Sequence, residues 1–256
     1  FNGNRIQFLF YLIKNSKSWN RVIVGHINLA PAIYLMKILN PSLEILVIAH
    51  GIEVWDKQKK ISKWLLNKAK KIISVSEYTK QQLNSNSGIS KDKIDVVHNS
   101  LDPFFTIPIN LEKPAYLQKR HGVLLNDKVV FTLTRLNSNE KYKGYDKVID
   151  SLIYLLQHNM PAFKYLLGGI AEDQELQRLN EKIAINNLEN HVILVGYIPE
   201  DELKDYFIVA DLFVMPSKKE GFGIVFIESA ICGTPVVAGN IDGRVEALLN
   251  GSLGTL

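Results

Sequence analysis

Short runs rich in β-branched residues return along the whole chain, and helix-period segments separate most of them. The runs are Arg21–Val24, Ile45–Ala49, Lys71–Val75, Ile94–Val97, Val129–Thr134, Phe163–Leu167, Val192–Val195, Leu212–Met215 and Pro235–Ala238. Between them, Leu29–Leu39, Lys57–Lys70, Glu77–Ser85, Lys147–His158 and Asp173–Ile185 carry the apolar period of a helix. Strands and helices alternating at these lengths predict an α/β fold with parallel sheets covered on both faces. No repeat of fixed period and no low-complexity tract interrupts the pattern.

The alternation pauses at residues 103–126. Pro103, Pro108 and Pro114 punctuate that stretch, and no strong apolar period crosses it until Lys128. The expected organisation is a domain at 1–107, a linker at 108–126 and a second domain at 127–256. Two Rossmann-like units hinged near residue 110, with a ligand between them, follow from that division. A chain of 256 residues, 46% hydrophobic and 22% charged, has the length and apolar content for two buried cores. Its charge is uneven: residues 1–110 carry 15 Lys and Arg against 7 Asp and Glu, whereas residues 111–256 carry 15 against 19. Balances of +8 and −4 predict different partners for the two halves, with an anionic membrane surface or acidic acceptor on the first. The single cysteine, Cys232, excludes an internal disulfide and fits a reducing compartment. No apolar run reaches the ~18–20 residues of a membrane span, and no signal-peptide pattern opens the chain. A cytoplasmic location, extending to the inner face of a membrane, is the expectation.

Residues 213–237 read FVMPSKKEGFGIVFIESAICGTPVV and place Glu220 and Glu228 eight positions apart across a glycine turn. A strand ends in Pro216-Ser217, Gly221 and Gly223 flank Phe222, a helix runs to Cys232-Gly233, and Pro235 opens the next strand. In an open α/β sheet the crevice beyond the strands' C-terminal ends is where ligands bind. The helix start at Gly223-Ile224-Val225 offers N–H groups and a positive dipole end to an anion. Two acids around an anion site suit a ligand with phosphate and several hydroxyls, such as a nucleotide-sugar. The plain alternative, a strand–turn–helix unit with two solvated glutamates, needs two glycines, two acids and a proline-led strand to coincide.

This stretch resembles the retaining glycosyltransferases of the GT-B architecture, and within them glycosyltransferase family four. The family pattern is Glu, a Gly-aromatic-Gly turn, a second Glu eight residues on, a small-residue helix, a Cys-Gly or similar stop and a Pro-Val-Val/Ile strand. The resemblance covers roughly residues 20–256 and implies two Rossmann-like domains with parallel sheets facing across a cleft. It implies that Glu220 and the amides of Phe222 and Gly223 hold the sugar hydroxyls, with Gly221 and Ile224 completing the turn, and that Glu228 takes the ribose hydroxyls. Relatives also show an Arg-Leu, variable loop, Lys-Gly arrangement, matched here by Thr134-Arg135-Leu136 and Lys143-Gly144. That assigns Arg135 and Lys143 to the donor diphosphate, with Lys141 competing for the lysine role. A guanidinium and an ammonium aimed at a leaving pyrophosphate stabilise its charge most in the transition state. His50, in Ile48-Ala49-His50-Gly51, looks like the family histidine beside the transferred sugar, and His26 is a second candidate. Gly168, in Leu166-Leu167-Gly168-Gly169, allows backbone and ligand to approach closely. Tyr197, in Gly196-Tyr197-Ile198-Pro199, stands where relatives contact the base largely through backbone groups. The segments Ile73-Ser74-Val75-Ser76 and Val97-His98-Asn99-Ser100 also match the family, with Ser100 where glycine is usual; both are read as structural, Ser76 as a helix cap.

The expected activity is a retaining, metal-independent transfer of a hexose from a nucleoside diphosphate sugar to a glycan or glycolipid hydroxyl. No cofactor is expected beyond the donor, and no metal: the six histidines are scattered, and no His-x3-His, cysteine pair or Asp-x-Asp occurs. Nucleic acid is not an expected partner. The alternatives are a nucleotide-sugar epimerase or phosphorylase of the same architecture, or a non-catalytic nucleotide-sugar-binding subunit. Family members usually carry more at both ends, so the first domain is expected to lack its start, the second its end, and this chain alone to be inactive. Finally, Lys57–Lys71 holds seven lysines around an apolar stripe of Ile61, Trp64, Leu65, Ala69 and Ile72. It is either a solvated basic helix face or a dock for anionic lipid.

Overall fold

The computed structural model describes residues 3–158 and 162–256. Its contacts divide the chain into two units, each built around one parallel sheet. The first comprises the residues up to Asn99 together with Glu220–Phe222; the second comprises Ser100–Lys219 and Gly223–Leu256.

In the first unit α1 (Arg5–Asn15) leads to β1 (Arg21–Val24), α2 (Ala30–Leu39), β2 (Glu44–Ala49), α3 (Ile52–Trp55) and α4 (Lys60–Lys68). Then come β3 (Lys71–Ser74), α5 (Glu77–Ser87) and β4 (Ile94–Val96). The strands pair in chain order, all parallel. β2 alternates as a sheet strand must, burying Ile45, Val47 and Ala49, and α2 buries Ala30, Ile33 and Met36 into the same core. Ser76 caps α5 as expected, accepting the Thr79 N–H at 3.1 Å, and Gly88 closes the helix in the left-handed region.

The basic segment departs from expectation. The helix expected from Lys57 spans only Lys60–Lys68, with Leu65 and the unanticipated Leu66 buried. Ile72 is claimed by the sheet core, so the chain must become extended two residues earlier than a helical stripe allows. Lys70 and Lys71 consequently leave the helix face and pair with Glu44 and Asp95. Lys57, Lys59, Lys60, Lys63 and Lys68 remain exposed.

The second unit begins with α6 (Ala115–Arg120), β5 (Lys128–Leu133), α7 (Tyr145–Gln157), β6 (Phe163–Gly168) and α8 (Asp173–Ile185). It continues through β7 (Val192–Gly196), α9 (Glu200–Val209), β8 (Leu212–Met215), α10 (Ile224–Ile231), β9 (Val236–Ala238) and α11 (Gly243–Ala247). The strand order is β7-β6-β5-β8-β9, all parallel. The chain builds outward from β5 to β7, then returns to lay β8 on the other edge of β5. That reversal is a topological switch point. Alternate residues feed two cores: Phe131 and Leu166 join Phe207, Phe213 and Phe226 on one face, while Tyr165 and Leu167 join Tyr145 and Ile149 on the other.

The division falls at Asn99/Ser100 rather than at 107, and residues 108–126 do not run as a bare linker. Leu117 of α6 is fully buried in the second core, Tyr116 donates to Asp205 at 2.7 Å, and Arg120 pairs with Glu202 at 2.6 Å. A helix this short shows too little apolar period to be read from the sequence. Among the described residues no helix is long and apolar enough to cross a membrane.

Candidate functional site

The two strand ends that flank the switch point are locked together. Beyond β8, the Lys218 N–H donates to the Tyr142 carbonyl at 2.6 Å. Gly144 sits at φ +88°, and a Cβ there would stand 2.7 Å from the Pro216 carbonyl oxygen. Only glycine fits both the backbone and the space. The loop after β5, which carries Arg135 and Lys143, is therefore fixed against the chain leading out of β8.

Within that loop Arg135 is three-quarters exposed, at 75%, and pairs with Glu140 at 2.8 Å. Glu140 Oε1 takes the guanidinium; its Oε2 is buried and, among the described residues, has no hydrogen-bond partner. The Lys143 ammonium lies 5.7 Å from the centroid of the Tyr142 ring, a cation–π distance. Lys141 instead acts on α8, where its charge helps hold the Glu175 carboxyl below its ordinary range. The two competing lysines thus face different surroundings, and Lys143 is the one beside the locked strand ends.

A cavity of about 300 Å³ opens at the ends of β5, β6 and β7. Leu136, Ile170, Leu194 and Tyr197 bound it, with Gly169 and Gly196 in its wall. At Gly168, expected to bring backbone to a ligand, a Cβ would lie 2.6 Å from Ile198 Cδ1 and 3.2 Å from the Phe131 ring. Its neighbour Gly169 is the one that lines the cavity.

α10 starts at Ile224 behind Gly223, with no side-chain cap among the described residues. One turn in, Glu228 faces a second cavity of about 650 Å³ shared with Asp102, Phe104, Glu200, Asp201 and Lys204. Burial, then the Glu200 charge, raise its pKa above the ordinary carboxylate value. The two cavities have no lining residue in common, so Glu228 and Tyr197 open onto different spaces.

The first unit gathers the remaining residues. The His50 N–H donates to Glu53 at 2.7 Å, and its ring Nε2 lies 2.8 Å from the Gly25 carbonyl oxygen. A carbonyl only accepts, so Nε2 carries a proton in this contact. His26 uses its Nδ1 to accept the Asn28 N–H at 3.1 Å, which makes it a helix cap. Glu220–Phe222 pack on these strand-end loops. The Ser76 hydroxyl donates to the Gly221 carbonyl at 3.0 Å, a Cβ on Gly221 would be 1.9 Å from the His50 carbonyl oxygen, and Phe222 stacks on His98 at 5.4 Å.

Each unit therefore holds part of the expected set. The first brings together His50, Glu220, Gly221 and Phe222; the second carries Arg135, Lys143, Gly168, Tyr197, Gly223, Ile224 and Glu228. Sequence reasoning missed Glu140 as the partner of Arg135, Gly169 as the cavity glycine, and Ser76 and His98 as holders of the Glu220 turn. The family segments around Ser76 and His98 were the available signal.

Comparison with known proteins follows the same division. Residues 117–256 match the family model described as glycosyl transferases group 1, and residues 1–104 match glycosyltransferase family 4. The mannosylfructose-phosphate synthase of Agrobacterium fabrum is 30% identical over 185 residues, 70% of this chain and 40% of that protein. The GDP-mannose-dependent alpha-(1-6)-phosphatidylinositol monomannoside mannosyltransferase of Mycolicibacterium smegmatis is 30% identical over 230 residues, 83% of this chain and 56% of that one. The chain spans about half the length of the curated relatives it matches. Among solved structures, Anabaena HepE in complex with UDP and glucose superposes with a TM-score of 0.75 at 20% identity, covering 96% of this chain and 67% of that one. Sucrose-phosphate synthase from Thermosynechococcus elongatus gives 0.78 at 20% identity, covering 98% and 64%.

Proposed function

Because the chain belongs to the glycosyl transferases group 1 family, we propose that it is part of a retaining, metal-independent hexosyltransferase. Its donor is a nucleoside diphosphate sugar and its acceptor a glycan or glycolipid hydroxyl. The observation that carries this reading is the locked pair of strand ends at the switch point, with two cations on one loop and an uncapped helix following the other.

A leaving diphosphate needs positive charge that is already in place. Arg135 is held by Glu140, and Lys143 stands on a loop immobilised by Tyr142 and Gly144. Both are assigned to the diphosphate, which takes over charge that Glu140 now satisfies in part. The N-terminus of α10 adds its amides. The apolar cavity at Tyr197 and Gly169 is assigned to the flat face of a base, and Glu228, which opens onto a separate cavity, to the ribose hydroxyls. In the first unit, His50 Nδ1, Glu220 and the Phe222 amide are the groups assigned to the sugar. With no covalent nucleophile assigned, retention follows from front-face attack: the acceptor hydroxyl bonds to the anomeric carbon, the diphosphate leaves on the same side, and a donor phosphate oxygen takes the proton.

HepE was crystallised with UDP and glucose, and the mycobacterial relative is named for GDP-mannose. These support a nucleotide-sugar donor while leaving the base and hexose open. The test is donor turnover by the full-length protein in EDTA. Arg135→Ala and Lys143→Ala should each depress turnover, by ~10-fold or more for a lost charged contact to the leaving group. Abolition by chelation, with rescue by Mg²⁺ or Mn²⁺, would overturn the account.

A further inference from the structure

Arg244, near the start of α11, has no exposed surface. Its Nε and Nη2 donate to the Asp242 carboxylate at 2.9 and 2.6 Å, and its Nη1 donates to the Ser217 carbonyl. A buried arginine–carboxylate pair is weak ground for stability, because desolvation offsets much of the attraction. Here the backbone adds a further cost: Asp242 sits at φ +64° and ψ −157°, a region that glycine favours. Gly239 makes room for the guanidinium, since a Cβ there would stand 2.6 Å from Nη1. Such an arrangement persists when the surrounding structure requires it.

Outside its ion pair, the Arg244 guanidinium donates to the Ser217 carbonyl. The Ser217 hydroxyl is buried and, among the described residues, has no hydrogen-bond partner, so the hold is on the backbone and not on the side chain. On one side of Ser217, Pro216 packs on Gly144; on the other, the Lys218 N–H bonds the Tyr142 carbonyl. Two residues later the chain reaches Glu220. We propose that Arg244 is a positioning residue: it pins Pro216–Lys218 from behind, so that the Lys143 loop and the chain entering Glu220 keep one register. Asp242 orients the guanidinium for that purpose. The inference rests on the reading of these strand ends as the donor site.

The experiment measures two things on the full-length protein: hydrogen exchange at Lys218, and calorimetric binding of UDP and of GDP in EDTA. Arg244→Met and Arg244→Lys are compared with Ser217→Ala, which keeps the carbonyl and should change neither readout. The expected result is about ten-fold faster exchange at Lys218 in both Arg244 variants, with amides of β6 unchanged, because the opening is local. Nucleotide affinity should fall by about ten-fold as the misplaced loop loses alignment. A folded Arg244→Met protein with wild-type exchange and affinity overturns the proposal, as does faster exchange spread equally over β6. If Arg244→Met does not fold, Arg244→Lys combined with Asp242→Asn decides by the same readouts. Failure of the unaltered protein to bind UDP, GDP and, in the same assay, ADP sinks the donor-site reading, while the exchange data still judge the clamp.

Discussion

At the scale of single residues, the Glu228 carboxyl, assigned above to ribose, carries a measurable cost. Burial raises its pKa, so as pH rises past the ordinary carboxylate value the unfolded chain ionises first and the folded state loses ground. Glu228→Gln should therefore melt higher than the unaltered protein at pH 7, and the two melting curves should converge as the pH is lowered toward that value. The same variant should bind UDP or GDP more weakly, by ~1.5–3 kcal/mol for a charged hydrogen bond to ribose. Equal melting at both pH values would mean that the carboxyl is not disfavoured by burial. Glu220→Gln should act on turnover instead, lowering it by ~10²–10³-fold, if the carboxylate orients the sugar as proposed. The spacing of the two glutamates was legible because the motif is local and compact. Glu140 was not, since its pairing with Arg135 depends on the tight turns of residues 138–143. Gly168 was legible as a glycine position, but the side chains that crowd it come from β5 and Ile198, which the local sequence does not show.

At the scale of elements, one polar cluster ties α7 to α8. Glu175, 1% exposed, accepts from Tyr145 at 2.6 Å and from Arg178, which also forks onto Asp146 at 3.0 and 2.7 Å. The Arg178 hydrogen bond foremost holds the Glu175 carboxyl below its ordinary range. Its stabilising contribution is thus present above that range and lost as pH falls through the lowered value. Glu175→Ala leaves Tyr145 and Arg178 without their acceptor and should cost about 1–3 kcal/mol in a urea titration near pH 7. Glu175→Gln, which can still accept from Tyr145, should cost less; equal midpoints for all three proteins would contradict the cluster's role. The strands were readable because β-branched runs sit between turn signals, and observed ends differ from expected ones by at most a residue. The segment from Lys57 was not: its apolar spacing continues across the helix end into β3, and only the sheet's demand for Ile72 decides where the helix stops. α6 was absorbed into the expected linker for want of length.

At the scale of the whole molecule, the charge asymmetry remains the feature with most to explain. With Lys70 and Lys71 paired, a membrane-facing role rests on the exposed Lys57, Lys59, Lys60, Lys63 and Lys68. Each lysine near an anionic leaflet contributes ~1 kcal/mol, screened by salt. Liposome co-sedimentation should favour anionic over neutral vesicles, and Lys→Glu changes at 59, 60 and 63 should remove the difference; equal recovery on both leaves a solvated basic face. The α/β class and two parallel sheets could be read from the sequence, whereas the grouping of Glu220–Phe222 with the first unit could not, because it is made by backbone contacts distant in the chain. The proposed reaction consumes a nucleotide-sugar donor with retention. Its most direct measurement is ¹H NMR of the full-length protein with UDP-, GDP- and ADP-hexoses and a hydroxyl acceptor in EDTA. The account predicts release of one nucleoside diphosphate, a product with the donor's anomeric configuration, and near-loss of both in Glu220→Gln. An inverted product, or wild-type turnover by Glu220→Gln, would contradict it.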